Sequence, residues 1–183
     1  DMVPALGLGA EPPEEGVMDL PPRKLSDHLI TKELLTRAYL VLGPVQSVVA
    51  MLAFYYYYWT NGHAGQWLDL PDTGNLYLAA TAIALSAVVM TQIGNVLAQR
   101  AGHRSILKLP LFSNKLVWIG IVTEVLLAFG IVYLPFLQKF IGTSAFNLKY
   151  WLFLALFIPA LPITDAIFKA FKRRRRTIVT QTH

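Results

Sequence analysis

Four side chains set the chemical question. Asp1, Gln92, Asn95 and Glu124 all stand in or beside long apolar stretches. A carboxylate or amide at membrane depth is costly, so each is read as a functional group and weighed against simple helix-to-helix bonding. Gln92 and Asn95 are three residues apart and share a helix face, with Gln99 one turn further on. Carboxylate and amide oxygens suit hard cations such as calcium, magnesium or sodium, and Pro4 could free backbone carbonyls beside Asp1 to act as further ligands. The chemistry these residue types support is cation coordination in a transport site. For Gln92 and Asn95 the plainer reading, a hydrogen bond to a neighbouring helix, also stands. Glu124 is different, because a lone buried carboxyl has to be protonated or paired.

The elements that must position these groups follow from composition. Of 183 residues, 55% are hydrophobic and 15% charged, with a mean hydropathy of +0.47. A soluble domain could not cover that much apolar surface, and runs of ~18 or more apolar residues are the signature of membrane spans. The expected fold is an all-α, polytopic membrane helix bundle: the end of one transmembrane helix and four complete spans. Residues 1–10 read as the end of a helix that began upstream, and the chain as an excised or proteolysed fragment. Residues 11–37, with Pro12-Pro13 and Pro21-Pro22, read as a loop. The bundle, 38–170, holds spans from Ala38 to Trp59, Asn75 to Gln99, Leu116 to Pro135 and Tyr150 to Phe168; the third can extend to Phe140, and Gly43-Pro44 should kink the first. Residues 171–183 form a basic tail.

Charge gives the orientation. Arg23, Lys24, Lys32, Arg37, Arg100, Arg104, Lys108, Lys115, Lys169, Lys172 and Arg173 to Arg176 fall on one side, leaving only Lys139 and Lys149 of the sixteen basic residues for the other. The positive-inside rule makes the first side, and the C-terminus, cytoplasmic. Measured from those ends, Asp1, Gln92, Asn95 and Glu124 fall at depths of roughly 6–14 Å, so one layer should hold them. The run Lys172 to Arg176 follows an apolar helix without interleaved aromatics, which favours anionic headgroups over nucleic acid. Asp165 and Lys169 make a structural i,i+4 pair. The four histidines show no ligand spacing, and with no cysteine there is no disulfide, zinc cluster or thiol nucleophile.

The opening DMVPALGLGAEPPEEGVMDLPPR resembles the end of the sixth transmembrane helix and the following cytoplasmic loop of P-type cation ATPases of the calcium-pump and sodium-pump branch. Asp1, Pro4, Pro12-Pro13 and Met18-Asp19-Leu20-Pro21-Pro22-Arg23 carry the likeness. Gln92-Ile93-Gly94-Asn95 is similar to the polar stretch of the eighth helix, and Glu124 to Pro135 to the ninth. The resemblance covers nearly the whole chain and implies that the spans are helices six to ten. It implies that Asp1 ligands the transported ion, and that Gln92, Asn95 and Glu124 match positions that help form an additional ion site in sodium-pump relatives. Calcium-pump relatives commonly carry an acidic residue where Gln92 stands. That favours a single-ion calcium or manganese site, or a sodium or proton site, over a two-ion calcium site.

The resemblance also implies partners: the lipid bilayer, and an upstream phosphorylation domain and helices of the same parent chain, touched by loop 11–37. The residues hold no Asp-Lys-Thr-Gly motif and no Gly-rich phosphate cradle. They bind no cofactor of their own beyond the transported cation, and ATP and magnesium would belong upstream. Two other classes remain beside a pump's transport domain. One is a non-enzymatic anchoring bundle with Gln92, Asn95 and Glu124 as interhelical glue; the other is a fragment of a secondary transporter or channel.

Overall fold

The computed structural model describes residues 2–11, 31–100 and 112–181. These are helical with no strand among them, and four helices are long and apolar enough to cross a membrane. In chain order the elements are α1 (Met2–Gly9), α2 (Lys32–Leu35), a π-helical segment (Thr36–Leu42), α3 (Gly43–Thr60), α4 (Gly74–Arg100), α5 (Lys115–Tyr133), α6 (Pro135–Ile141), α7 (Lys149–Ala155) and α8 (Ala160–Gln181). Half of the apolar window of α4 is buried, against 17–28% for the other three spans. Thus α4 is the central post, and the rest turn wide apolar faces outward. Val48, Met51 and Leu52 on α3 and Ile119, Val122, Leu126 and Leu127 on α5 are among the exposed side chains. An apolar exterior on helices of this length is what a bilayer solvates.

The expected kink at Gly43-Pro44 takes the form of a π turn. Pro44 lacks an N–H, and its ring would strike the carbonyl one α turn back. The chain widens by one residue, so that the Gly43 N–H reaches Ala38 O, five residues away. The third span ends earlier than its apolar run. Leu134 is extended (φ −86°, ψ 119°) because Pro135 follows it. Helix then resumes as α6 and closes on Gly142 in the left-handed region at φ 79°.

The fourth span is not the continuous helix expected from Tyr150 to Phe168. It breaks over 156–159, where Leu156, Phe157 and Ile158 donate to carbonyls only three residues back, at 3.0–3.2 Å. Pro159 and Pro162 remove two donors, and the tightened turn satisfies part of what they leave. The break docks on α4 at Gly94, where a Cβ would stand 1.8 Å from the Ile158 carbonyl oxygen. Glycine is what lets the two backbones meet. The same device joins α1 to α5: a Cβ on Gly7 would stand 2.7 Å from the Val117 nitrogen, and one on Gly120 would stand 2.7 Å from the Pro4 backbone.

An aromatic layer closes the end of the bundle that lacks the basic run. Trp151 Nε1 donates to Tyr133 OH at 3.0 Å, and that hydroxyl donates to Phe146 O at 2.9 Å. Tyr150 OH pairs with Thr60 Oγ1 at 2.7 Å and accepts from Asn61 Nδ2 at 3.0 Å. Rings with polar tips are at home at a membrane boundary, and here they also tie α3, α5 and α7 together.

Candidate polar site at membrane depth

The polar face predicted on the second span is present and longer than expected. Gln99 Nε2 donates to Asn95 Oδ1 at 3.3 Å, Asn95 Nδ2 to Gln92 Oε1 at 3.1 Å, and Gln92 Nε2 to Gln46 Oε1 at 3.3 Å. Four amides therefore run head to tail up α4 and across to α3. Sequence reasoning missed Gln46, although a signal existed: it is the one amide side chain in an uncharged span, two residues after Pro44. Its Nε2 is enclosed with no acceptor among the described residues. A buried donor left in that state costs free energy until something accepts from it.

Glu124 stands elsewhere on the same seam. It lines a cavity of about 170 Å³ between α4 and α5, with Leu85, Ser86, Val89, Leu127, Ala128 and Ile131. The walls are apolar, and the Ser86 hydroxyl is engaged with Ala82 O at 2.8 Å. Val89 and Ser86 precede Gln92 by three and six residues, about 4.5–9 Å along α4. The single layer expected from the sequence is thus spread over one to two helical turns. Asp1 lies outside the described residues. Among those described, no three His, Cys, Asp or Glu side chains come together. A hard divalent cation takes six to eight oxygens, so Gln92, Asn95 and Glu124 could supply only part of a shell.

Two charged clusters fix the basic end of the bundle around this site, and neither was resolved as a unit from sequence. In the first, Arg100 ends α4 with its side chain fully buried. Its Nε and Nη2 reach the two oxygens of Glu11 at 3.1 and 2.9 Å, and Nη2 also donates to Ser113 Oγ at 2.8 Å. Asn114 completes the cluster by capping α5, its Oδ1 accepting from Leu116 and Val117 N–H at 3.0 and 3.2 Å. Its Nδ2 donates to Gly7 O and to Glu11 Oε2 at 2.8 and 2.6 Å. One carboxylate, one guanidinium and one amide thereby bind the ends of α1, α4 and α5. The hydrogen bonds from Arg100 hold the Glu11 carboxyl below its ordinary value; desolvation opposes this and Asn114 assists it.

In the second cluster, Asp165 on α8 is nearly buried between two cations. Arg37 Nε lies 2.6 Å from Oδ1 and Lys169 Nζ 2.7 Å from Oδ2. The i,i+4 pair expected from sequence is there, and the π segment of the first span joins it.

The comparisons with known proteins agree with this architecture. The family model described as cation transporting ATPase, C-terminus, matches residues 1–171. The endoplasmic reticulum calcium ATPase of Aspergillus fumigatus is 27% identical over 97% of this chain and 20% of its own length. Calcium-transporting ATPase 1 of Yarrowia lipolytica is 28% identical over 97% of this chain and 18% of its length. Mouse calcium-transporting ATPase type 2C member 1 is 25% identical over 97% and 18%. The chain spans about a fifth of the length of these relatives. With four spans of membrane length and a family match over nearly all its residues, this integral membrane chain belongs to the cation-transporting P-type ATPase C-terminal family.

Proposed function

We propose that the chain is the C-terminal membrane domain of an ATP-driven cation pump, contributing Asp1, Gln92, Asn95 and Glu124 to a cation site and holding the scaffold around it. The match of residues 1–171 to the family of cation-transporting ATPases carries the reading. Relatives named as calcium-transporting make calcium the first ion to test. Manganese and sodium follow, because Gln92 offers a neutral oxygen where a carboxylate would favour a second divalent charge. Gln92 and Asn95 would offer the cation their amide oxygens, each of which accepts one hydrogen bond from the next amide on α4, at 3.1 and 3.3 Å, and keeps a second lone pair. Glu124 would bring the negative charge, and Gln46 would orient Gln92 from α3. ATP and magnesium act in the upstream part of the pump. The basic loops and C-terminus face the cytoplasm, with the connection over residues 11–37, helical from Lys32 onward, directed toward the phosphorylation domain.

One observation favours a second reading. The amides of α4 already satisfy one another, as interhelical glue would, and the chain would then anchor and stabilise the pump without touching the ion. The full-length parent separates the two when its ATPase activity is titrated with calcium, manganese, sodium and potassium. On the transport reading one ion stimulates turnover, Asp1→Asn abolishes the stimulation, and Glu124→Gln raises the half-stimulating concentration about tenfold, which is 1.4 kcal/mol. If both variants titrate like the wild type and lose only thermal stability, the residues are structural and the cation assignment is withdrawn.

A further inference from the structure

Three hydrogen bonds join four amides and leave one end of the row unmet. Gln99 donates to Asn95, Asn95 to Gln92 and Gln92 to Gln46, so every N–H2 group points the same way along the ladder. At the α4 end Gln99 is exposed, and water can complete it. At the α3 end the Gln46 Nε2 is enclosed with no acceptor among the described residues. A buried donor in that state carries its full desolvation penalty. It also turns the positive end of the amide dipole toward any cation that comes beside it.

The same side chains hold an alternative. An amide carries donor and acceptor on one planar fork, and a half-turn about its last bond exchanges them. A half-turn of one amide alone would set like groups face to face. Four together keep all three bonds with their sense reversed: Gln46 donates to Gln92, Gln92 to Asn95 and Asn95 to Gln99. Only the ends differ. The enclosed end becomes the Gln46 oxygen, and Gln99 turns its N–H2 to water. A cation beside the enclosed end binds that arrangement better, and a ligand shifts the population toward whichever state it binds better.

We infer that Gln46 is a further oxygen ligand of the transported cation, presented when the four amides reverse together. Gln46 acts at the cation site proposed at Gln92, Asn95 and Glu124, and its role rests on that reading. Those three could fill only part of the shell of a hard cation, and a neutral amide oxygen one ladder step from Gln92 is a ligand of the right kind. Gln46 lies in the first turn of α3, so the site draws on that helix as well as on α4 and α5. The ladder also links the enclosed end to the basic end of α4, because the group that Gln99 shows to water changes with the sense of the bonds.

Equilibrium binding of calcium, manganese or sodium to the full-length parent, with thermal stability recorded for each protein, tests both ends of the ladder. Gln46→Met keeps the length of the side chain and removes its oxygen; it should weaken binding about tenfold in folded protein, the scale of losing a group that supports a metal site. Gln99→Glu offers Asn95 only acceptors and holds the ladder reversed, whereas Gln99→Lys offers only donors and holds it as it stands. Gln99→Glu should bind the ion about fivefold more tightly than Gln99→Lys, which is the worth of one hydrogen bond. Charge alone gives the same order, so the pair is repeated with Gln92→Leu, which cuts the ladder and leaves the field; the difference should then largely vanish. A difference that survives Gln92→Leu undiminished, or equal affinities for the two Gln99 variants, overturns the reversal. These variants change an exposed side chain and decide the matter if Gln46→Met does not fold. Wild-type affinity in folded Gln46→Met, with Glu124→Gln still weakened, removes Gln46 as a ligand and leaves the cation site standing. A wild type that binds none of the three ions removes the cation site and the role of Gln46 with it.

Discussion

Gly94→Ala should destabilise the bundle by at least about 3 kcal/mol, the upper end of what overpacking costs, and should do so although alanine is the better helix former. The added methyl would sit 1.8 Å from the Ile158 carbonyl oxygen and 3.0 Å from Pro162 Cδ. A flexible side chain could swing away, but a backbone carbonyl inside a proline-bounded turn cannot move without carrying α7 and α8 with it. The break in the last span and the contact of α4 with α8 would have to separate together. Thermal unfolding of the parent in detergent reads the loss directly. A Gly94→Ala variant as stable as wild type would mean that the last span does not break against α4. Gly62→Ala serves as the comparison, since its added Cβ meets nothing within 4 Å and any cost comes from its positive φ alone.

Arg100→Ala should cost roughly 3 kcal/mol by a different route. The guanidinium is fully buried and makes hydrogen bonds to both oxygens of Glu11 and to Ser113, so its removal strands acceptors inside the junction of α1, α4 and α5. Breaking a buried pair costs about 3–5 kcal/mol; the lower end applies here because Glu11 keeps 23% of its side-chain exposure. The pair also predicts a pH dependence. Glu11 is held below its ordinary value of 4.5, so it binds fewer protons in the folded state than in the unfolded state. Its stabilisation is present in full above that value and is lost as pH falls below it toward the lowered folded value. Wild type should lose stability over that acid interval more steeply than Arg100→Ala, in which Glu11 has lost the main cause of its shift. Parallel curves for the two proteins would show that Glu11 and Arg100 are not coupled.

Much of this architecture was legible because its cause is coarse. Long uncharged runs read as spans, and each of the four appears within a few residues of its expected place. The Gly43-Pro44 kink was legible too, since proline's missing N–H acts locally, although its resolution as a π turn depends on how the preceding carbonyls find donors. The break at 156–159 was harder to see. Pro159 and Pro162 stand in plain view, but apolarity on both sides of them favoured one uninterrupted helix, and only the docking of Ile158 on Gly94 shows why the chain turns there.

The candidate site divides the same way. A shared face for Gln92, Asn95 and Gln99 follows from helical periodicity, which is a one-helix property. Gln46 enters from another helix, and no periodicity on α4 could announce it. The offset of Glu124 toward Ser86 and Val89 depends on how α5 lies along α4, a property of two helices that periodicity within either one does not announce. The Glu11–Arg100–Asn114 cluster brings Glu11 to residues 89 and 103 positions away, a separation that no local pattern announces.

The central claim is that side chains of this chain bind the transported cation. Its most direct test is equilibrium binding of radiolabelled calcium, manganese or sodium to the full-length parent, comparing wild type with Glu124→Gln and with Gln92→Leu, and with thermal stability recorded for each. The account predicts saturable binding of one of these ions, weakened about tenfold or more by Glu124→Gln in protein that remains folded, with a smaller loss for Gln92→Leu. Unchanged affinity in both folded variants would contradict it and leave the polar seam of α4 and α5 as a structural joint.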